Sequence, residues 1–272
     1  MDEERKEAPA PEEVPRPADL PAATLAAQAG EKPKVKAGRR VRCPVCGGHG
    51  DPTEADAQVC RCNGCGVLFR NPRPSVGEIL SRRDARFAGA LTRNHAAEIR
   101  EDARVALEAM RGYHRLTSRK DAPLNAFGRR VLDVGCGLGF RLREFEKYGW
   151  TVTGLESSAN AVAYTQAVAL HVIRADLDAL PPGPFDLILL EGILEEAPEP
   201  EKLAGRLKGL LVPRGVVYVG ARATDGPLGE CRLYAFGEDG LRRLLMTSGF
   251  LEPEVRSEDG ALRMWFRRKE PH

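Results

Sequence analysis

Short apolar runs alternate with amphipathic segments from about residue 129 onward. Four apolar runs have the length of a strand: RRVLDVG, TVTGLE, FDLILLEG and GVVYVGA. Between them, two segments repeat their apolar positions at helical spacing: FRLREFEKYG and PEKLAGRLKGLL. Strands that alternate with helices favour right-handed crossover connections and a mostly parallel sheet covered by helices on both faces. The pattern therefore predicts a doubly wound α/β fold.

The last strands of the chain follow a different pattern. LEPEVRS and ALRMWFR are two strand candidates separated by Glu258, Asp259 and Gly260. An Asp-Gly pair favours the tight turn of an antiparallel hairpin. We therefore expect the parallel sheet to end in a carboxyl-terminal antiparallel hairpin.

The first 128 residues lack the strand–helix alternation. Residues 1–33 contain six Pro and eight Ala, which predicts a disordered tail over 1–42. Its end, 32–42, holds six basic residues and no acid, and fits either a solvated linker or a contact with nucleic acid or an acidic partner. Residues 76–128 are predicted to be a helical linker or lid, with a helix from about 94 to 118 and a loop from Lys120 to Gly128.

Composition narrows the class of protein. The 272 residues are 42% hydrophobic and 29% charged, and no stretch has the roughly 20 consecutive apolar residues of a membrane span. The amino terminus has no apolar segment typical of a secretory signal, so we expect a cytoplasmic protein with reduced cysteines. The net charge of +2 creates no overall field that would attract nucleic acid or an anionic membrane.

Five of the seven cysteines fall within 23 residues. Two Cys-x-x-Cys-Gly knuckles, formed by Cys43 and Cys46 and by Cys62 and Cys65, are separated by 15 residues, a spacing typical of a zinc ribbon. Cys60 has neither the spacing nor the glycine. The pattern predicts a structural zinc bound by four thiolates over 43–75, and the alternative is a set of redox-active or simply buried cysteines.

A glycine-rich turn follows the first strand of the α/β region. In VLDVGCGLG, the strand runs into Gly135, Gly137 and Gly139, which let the backbone approach a ligand at the start of a helix. Glu156 ends the next strand, 21 residues after Gly135, where a carboxylate can accept hydrogen bonds from both hydroxyls of a ribose. These residues predict an adenosine-type ligand.

Four segments of the chain resemble, in order and spacing, successive motifs of the class I S-adenosylmethionine-dependent methyltransferases: VLDVGCGLG, TGLESS, RADLDALP and FDLILLEGIL. With the ribbon and VLFRNPRPS at 67–75, the resemblance extends to a bacterial subgroup that carries an amino-terminal zinc ribbon. It implies a Rossmann-like seven-stranded sheet over 129–272, S-adenosylmethionine as cofactor, and methyl transfer to a small-molecule acceptor.

The resemblance also implies roles for single residues. The three glycines would cradle the methionine part of the cofactor, with Asp133 near its amino group. Glu156 would bind the ribose. Asp176, with Leu177 beside it, would contact the adenine amino group.

The acceptor side departs from the family pattern. Relatives often carry two histidines after the fourth strand, whereas this chain reads Gly192-Ile-Leu-Glu-Glu196 and has neither. Many relatives have a third histidine where this chain has Arg232. Glu191 remains the candidate general base. The acceptor is expected over the carboxyl edge of the sheet, beneath residues 222–236 and the helix near Tyr113.

Three further residues are candidates for orienting the acceptor: Arg222, Arg232 and Tyr234. Two alternatives stay open at this point. One is an RNA methyltransferase that grips RNA through the ribbon and the basic run, and the other is a catalytically silent interaction module. The pattern makes no prediction about oligomeric state.

Overall fold

The structure is a computed structural model that describes residues 40–117, 128–222, 228–229, 231–258 and 260–270. The predicted tail, apart from residues 40–42, and the predicted loop, apart from Gly128, lie outside the described residues.

A seven-stranded sheet forms the centre of the protein. Five strands run parallel: β4 (Arg130–Val134), β5 (Thr151–Glu156), β6 (Val172–Arg174), β7 (Phe185–Glu191) and β8 (Leu211–Arg222). The antiparallel β11 (Ala261–Arg267) adds to β8, and β10 (Glu254–Glu258) adds to β11. The strand order is β10-β11-β8-β7-β4-β5-β6, so the predicted α/β class and the terminal hairpin are confirmed.

Six α-helices accompany the described strands: α1 (Val76–Phe87), α2 (Ala96–Leu116), α3 (Phe140–Lys147), α4 (Ala159–Ala167), α5 (Pro200–Leu210) and α6 (Glu238–Thr247). No helix among the described residues is both long and apolar enough to cross a membrane.

Alternate residues of the central strands pack on opposite faces of the sheet. On β7, Ile188 and Leu190 belong to a core with α5 and α6, whereas Leu187 and Leu189 belong to a second core with α2, α3 and α4. This alternation follows from the two-residue period of a strand. The sheet therefore lies between two helical layers. Because five of its strands are parallel, the loops at their carboxyl ends share one edge.

The cysteine-rich segment forms a small antiparallel sheet of β1 (Gly50–Pro52), β2 (Val59–Cys62) and β3 (Leu68–Arg70). A fourth strand, β9 (Tyr234–Ala235), comes from the α/β region and pairs with β3. Phe69 of β3 is fully buried in the same apolar core as α6. The cysteine-rich segment 43–75, called the ribbon below, is therefore built into the α/β region through a shared sheet and a shared core.

Candidate functional site

The turn between β4 and α3 depends on its three glycines. Gly135, Gly137 and Gly139 have φ values of 72°, 55° and 79°, in the left-handed region that other residues rarely adopt. A Cβ at Gly135 would collide with Ile193, and one at Gly139 would collide with Leu170. Backbone conformation and packing therefore both require glycine at Gly135 and Gly139, and Gly135 also lines the cleft described below.

Glu156 joins this turn to the end of β5. Its Oε2 accepts a hydrogen bond from the Gly137 amide (2.9 Å), and its Oε1 accepts from the amides of Ser157 (2.7 Å) and Ser158 (2.8 Å). The side chain is 5% exposed. Three backbone donors thus hold the carboxylate in one position at the strand end.

Asp133 lies beneath the glycine turn and is fully buried. Its Oδ2 accepts a hydrogen bond from Arg141 Nε at 2.9 Å, and the same guanidinium binds Asp102 at 2.7 Å and the Gly135 carbonyl at 3.3 Å. Burial raises the pKa of Asp133 to about 6, and the Arg141 charge opposes that shift. Asp133 therefore acts on the turn through Arg141, a residue that the motif pattern did not single out.

Asp176 and Leu177 lie across the same cleft from the glycine turn. Asp176 Oδ1 accepts a hydrogen bond from the Leu177 amide at 2.7 Å and lies 3.7 Å from Arg83 Nη1. The cleft brings both residues together with Glu156 and Gly135. Its volume in this structure is 40 Å³.

Helix α1 covers this edge of the sheet. Arg83 Nε donates to Glu196 Oε2 at 3.0 Å, and Arg86 donates to Glu196 Oε1 at 2.7 Å. Asp84 accepts a hydrogen bond from the Ser158 hydroxyl at 2.7 Å. The expectation that the helix near Tyr113 lies over the acceptor was wrong. Its hydroxyl donates to Asp186 near the opposite, amino end of β7, where Asp186 also binds Arg129.

A larger cavity of 770 Å³ adjoins the cleft at the carboxyl ends of β7 and β8. The two spaces share Arg86, Gly135, Ile193 and Glu196. The cavity is polar, and its charged lining residues are Arg82, Arg86, Glu191, Glu195, Glu196, Arg222 and Arg232.

Two carboxyl groups in the cavity wall have raised pKa values. Burial raises the pKa of Glu191, and the Tyr218 hydroxyl donates to its Oε2 at 3.1 Å. Burial raises the pKa of Glu195 to about 7, and the nearby Arg232 opposes the shift. Glu195 Oε1 accepts a hydrogen bond from the Arg222 amide at 3.3 Å, whereas Oε2 has no partner among the described residues.

The three acceptor-side candidates do not come together. Arg222 and Arg232 line the cavity, whereas the fully buried Tyr234 lies outside its lining. The Tyr234 hydroxyl donates to the Pro198 carbonyl at 3.2 Å and is bound by Arg73. Tyr234 therefore lies in the packing between ribbon and α/β region.

Several site residues were not found from the pattern. Arg83 and Arg86 lie on α1, whose start carries a readable signal, the Ser75–Glu78 capping box. No comparable signal marks Glu195, because its burial and the missing partner of its Oε2 are not visible in the sequence.

The four knuckle cysteines form a compact group. The Sγ atoms of Cys43, Cys46, Cys62 and Cys65 all lie within 4.8 Å of one another, and such a group can hold a metal ion. The Cys43–Cys65 and Cys46–Cys62 Sγ separations are 3.4 and 3.3 Å. Cys60 is buried in β2 and lies outside this group.

Curated relatives share part of the chain. A ubiquinone biosynthesis O-methyltransferase from Psychrobacter cryohalolentis is 30% identical over 39% of this chain and 46% of its own length. One of the same name from Paracidovorax citrulli is 34% identical over 36% of this chain and 44% of its own length. The match thus spans less than half the length of these relatives.

Solved structures share the fold. A crystal structure of an S-adenosylmethionine-dependent methyltransferase from Thermotoga maritima, described as a possible histamine N-methyltransferase, superposes with a TM-score of 0.52. It is 16% identical and covers 70% of this chain and 100% of its own. At that identity, the likeness concerns the fold alone.

The family model described as "Methyltransferase domain" matches residues 97–267, well over half of the chain. The chain therefore belongs to the methyltransferase-domain family.

Proposed function

We propose that this protein is an S-adenosylmethionine-dependent methyltransferase that acts on a hydroxyl group of a small-molecule acceptor. The observation that carries the proposal is that the cleft beside Glu156 and Asp176 adjoins a 770 Å³ cavity at Gly135 and Ile193. A methyl donor in the first space and an acceptor in the second would meet at that junction. The relatives named O-methyltransferases support oxygen as the methylated atom.

The residues in and beside the cleft fit the cofactor. Gly135, Gly137 and Gly139 would lie along its methionine part, and Glu156 would accept hydrogen bonds from the two ribose hydroxyls. Asp176 and Leu177 would face the adenine. When bound, the cofactor supplies a methyl group already activated by a sulfonium, so the protein mainly has to align donor and acceptor.

Binding of this cofactor would require a local shift. A cleft of 40 Å³ is far smaller than the roughly 300–1,000 Å³ of ordinary ligand sites. Ile193 and Arg86 line both spaces, and Phe87 lies against Gly137. We propose that the end of α1 and Ile193 move away from the glycine turn when the cofactor enters.

The ribbon would have a structural role. Zn–S bonds of about 2.3 Å in a tetrahedron require sulfur separations of about 3.8 Å, within the observed spread of the four Sγ atoms. Four protein thiolates close the coordination sphere, so zinc would stabilise the fold and take no part in the reaction. The chain would then belong to the subgroup with an amino-terminal zinc ribbon.

The ribbon would also hold the cavity wall. The Arg70 guanidinium donates to the carbonyls of Leu228 (2.8 Å), Gly229 (3.2 Å) and Arg232 (2.9 Å). Gly229 and Arg232 line the cavity. These bonds support a ribbon that shapes the acceptor site, in preference to one that grips RNA.

The test is to follow tritium from S-adenosyl-L-[methyl-³H]methionine. The zinc-loaded protein is incubated with a deproteinised bacterial metabolite extract or with total RNA, with Glu156→Ala as a matched inactive control. We expect label in the small-molecule fraction with the wild-type protein only. Label in RNA would favour the RNA methyltransferase, and absence of label in both fractions would favour the silent interaction module.

A further inference from the structure

Glu195 is a carboxylate built into the wall of the larger cavity. The residue is 1% exposed, and its backbone carbonyl accepts hydrogen bonds from the amides of Leu233 (2.7 Å) and Tyr234 (3.1 Å). Its Oε1 is bound by the Arg222 amide, and its Oε2 has no hydrogen-bond partner in the described part of the chain. A buried carboxylate oxygen without a partner costs stability, so Glu195 is a candidate for a role in ligand binding or catalysis.

The same wall contains two arginines that form no close ion pair within the described part of the chain. Glu196 already binds both Arg83 and Arg86. In contrast, Arg222 and Arg232 line the cavity without forming an ion pair with a carboxylate of the described residues, although the Arg232 charge acts on Glu195 from a greater distance. A guanidinium suits a carboxylate or phosphate because its donors form a planar fork.

We propose that the cavity binds an acceptor that carries both a hydroxyl and an anionic group, with Glu195 receiving the hydroxyl proton and Arg232, assisted by Arg222, binding the anion. This inference rests on the proposed function and extends it to a substrate class and a catalytic residue.

The transfer step balances as follows. The hydroxyl proton passes to Glu195 Oε2, and an oxygen lone pair forms the bond to the methyl carbon. The carbon–sulfur bond breaks and leaves its electron pair on sulfur, which yields S-adenosylhomocysteine and the methyl ether. Glu195 afterwards releases its proton to solvent, so no oxidant, reductant or further reactant is needed.

Glu195 suits this role better than the neighbouring carboxylates. Glu196 is held by two arginines. Glu191 and Glu195 each have one oxygen bound within the protein, but Glu195 Oε2 is buried without a partner among the described residues. With a pKa of about 7, Glu195 is near the value that favours proton transfer at neutral pH. The groups that face it from the surrounding elements are Arg82, Arg86, Glu191, Glu196, Arg222, Cys231 and Arg232.

The test uses the zinc-loaded full chain saturated with S-adenosylhomocysteine, and three probes titrated by calorimetry. 4-Hydroxybenzoate carries both groups, benzoate only the anion, and phenol only the hydroxyl. We expect 4-hydroxybenzoate to bind at least about tenfold more tightly than phenol, as one charge-assisted contact predicts. Arg232→Gln should weaken both anions about tenfold and leave phenol unchanged, whereas the exposed Arg243→Gln should change none.

Glu195→Gln should weaken 4-hydroxybenzoate relative to benzoate, because only 4-hydroxybenzoate has a hydroxyl for Glu195 to bind, whereas the lost negative charge acts on both anions alike. In the wild-type protein, the preference for 4-hydroxybenzoate over benzoate should rise between about pH 6 and 8, because Glu195 becomes charged over that range. That rise should vanish in Glu195→Gln and persist in the exposed Glu201→Gln. A residue with a merely structural role would not produce this hydroxyl-specific, pH-dependent difference.

The outcomes separate the two levels of the proposal. If S-adenosylhomocysteine does not bind, the proposed function fails and this inference fails with it. If S-adenosylhomocysteine binds, two results would overturn the inference alone: none of the probes binds, or their affinities are insensitive to Arg232→Gln and Glu195→Gln.

Discussion

Replacing Glu156 with Ala should weaken cofactor binding and loosen the glycine turn. The carboxylate accepts three backbone hydrogen bonds, from Gly137, Ser157 and Ser158, and so fixes two loops that face the cleft. Without it, the proposed ribose contact is lost, and the three amides must bind water instead.

The magnitude follows from the lost contacts. A hydrogen bond to a charged group contributes about 1.5–3 kcal/mol, whereas water entering the cleft can satisfy the freed amides. We therefore expect S-adenosylhomocysteine to bind about 10- to 150-fold more weakly. The loosened turn should also lower Tm by about 2–4 °C for each kcal/mol of stability lost.

Calorimetric titration and thermal unfolding measure both effects. The matched control is Glu146→Ala, an exposed residue of α3 whose ion pair with Arg143 is a surface contact. Surface pairs of this kind contribute little, so the control should keep the wild-type affinity and Tm. Wild-type affinity in Glu156→Ala would refute the assignment of Glu156 to the cofactor.

Three other changes test the remaining parts of the account. Cys43→Ser with Cys62→Ser should release one zinc per chain, measured by a colorimetric chelator, whereas Cys60→Ser should retain it; zinc loss from Cys60→Ser would contradict the ligand set. Arg70→Gln should weaken 4-hydroxybenzoate binding and leave the affinity for S-adenosylhomocysteine within about twofold, because it removes hydrogen bonds that hold the cavity wall and none in the cleft. Equal losses of affinity for both ligands would argue against this local role. Gly139→Ala should lower the yield or Tm of the folded protein, because its φ of 79° and the adjacent Leu170 leave no room for a methyl group; an unchanged Tm would show that the turn tolerates side chains.

The sheet and the glycine turn were predictable because their signals are local. The alternation of strands and helices predicts the central sheet. Gly135, Gly137, Gly139 and Glu156 lie close together because they follow or end neighbouring parallel strands, whose carboxyl ends share one edge. The terminal hairpin was likewise visible in its Asp-Gly turn.

The contacts between distant segments were not predictable. β3 pairs with the two-residue strand β9, and nothing in the short Tyr234–Ala235 pattern marks it as a partner for the ribbon. Tyr113 was expected at the acceptor side, but the length and packing of α2 bring it to Asp186 at the opposite edge. The unpartnered oxygen of Glu195 depends on burial, which sequence periodicity does not report.

The most direct test of the account is a calorimetric titration of the zinc-loaded protein with S-adenosylmethionine and S-adenosylhomocysteine. We expect one site per chain for each ligand, with dissociation constants near the micromolar range, about −8 kcal/mol of binding free energy. Absence of binding by the folded, zinc-loaded chain would contradict the proposed cofactor site and, with it, the proposed methyl transfer.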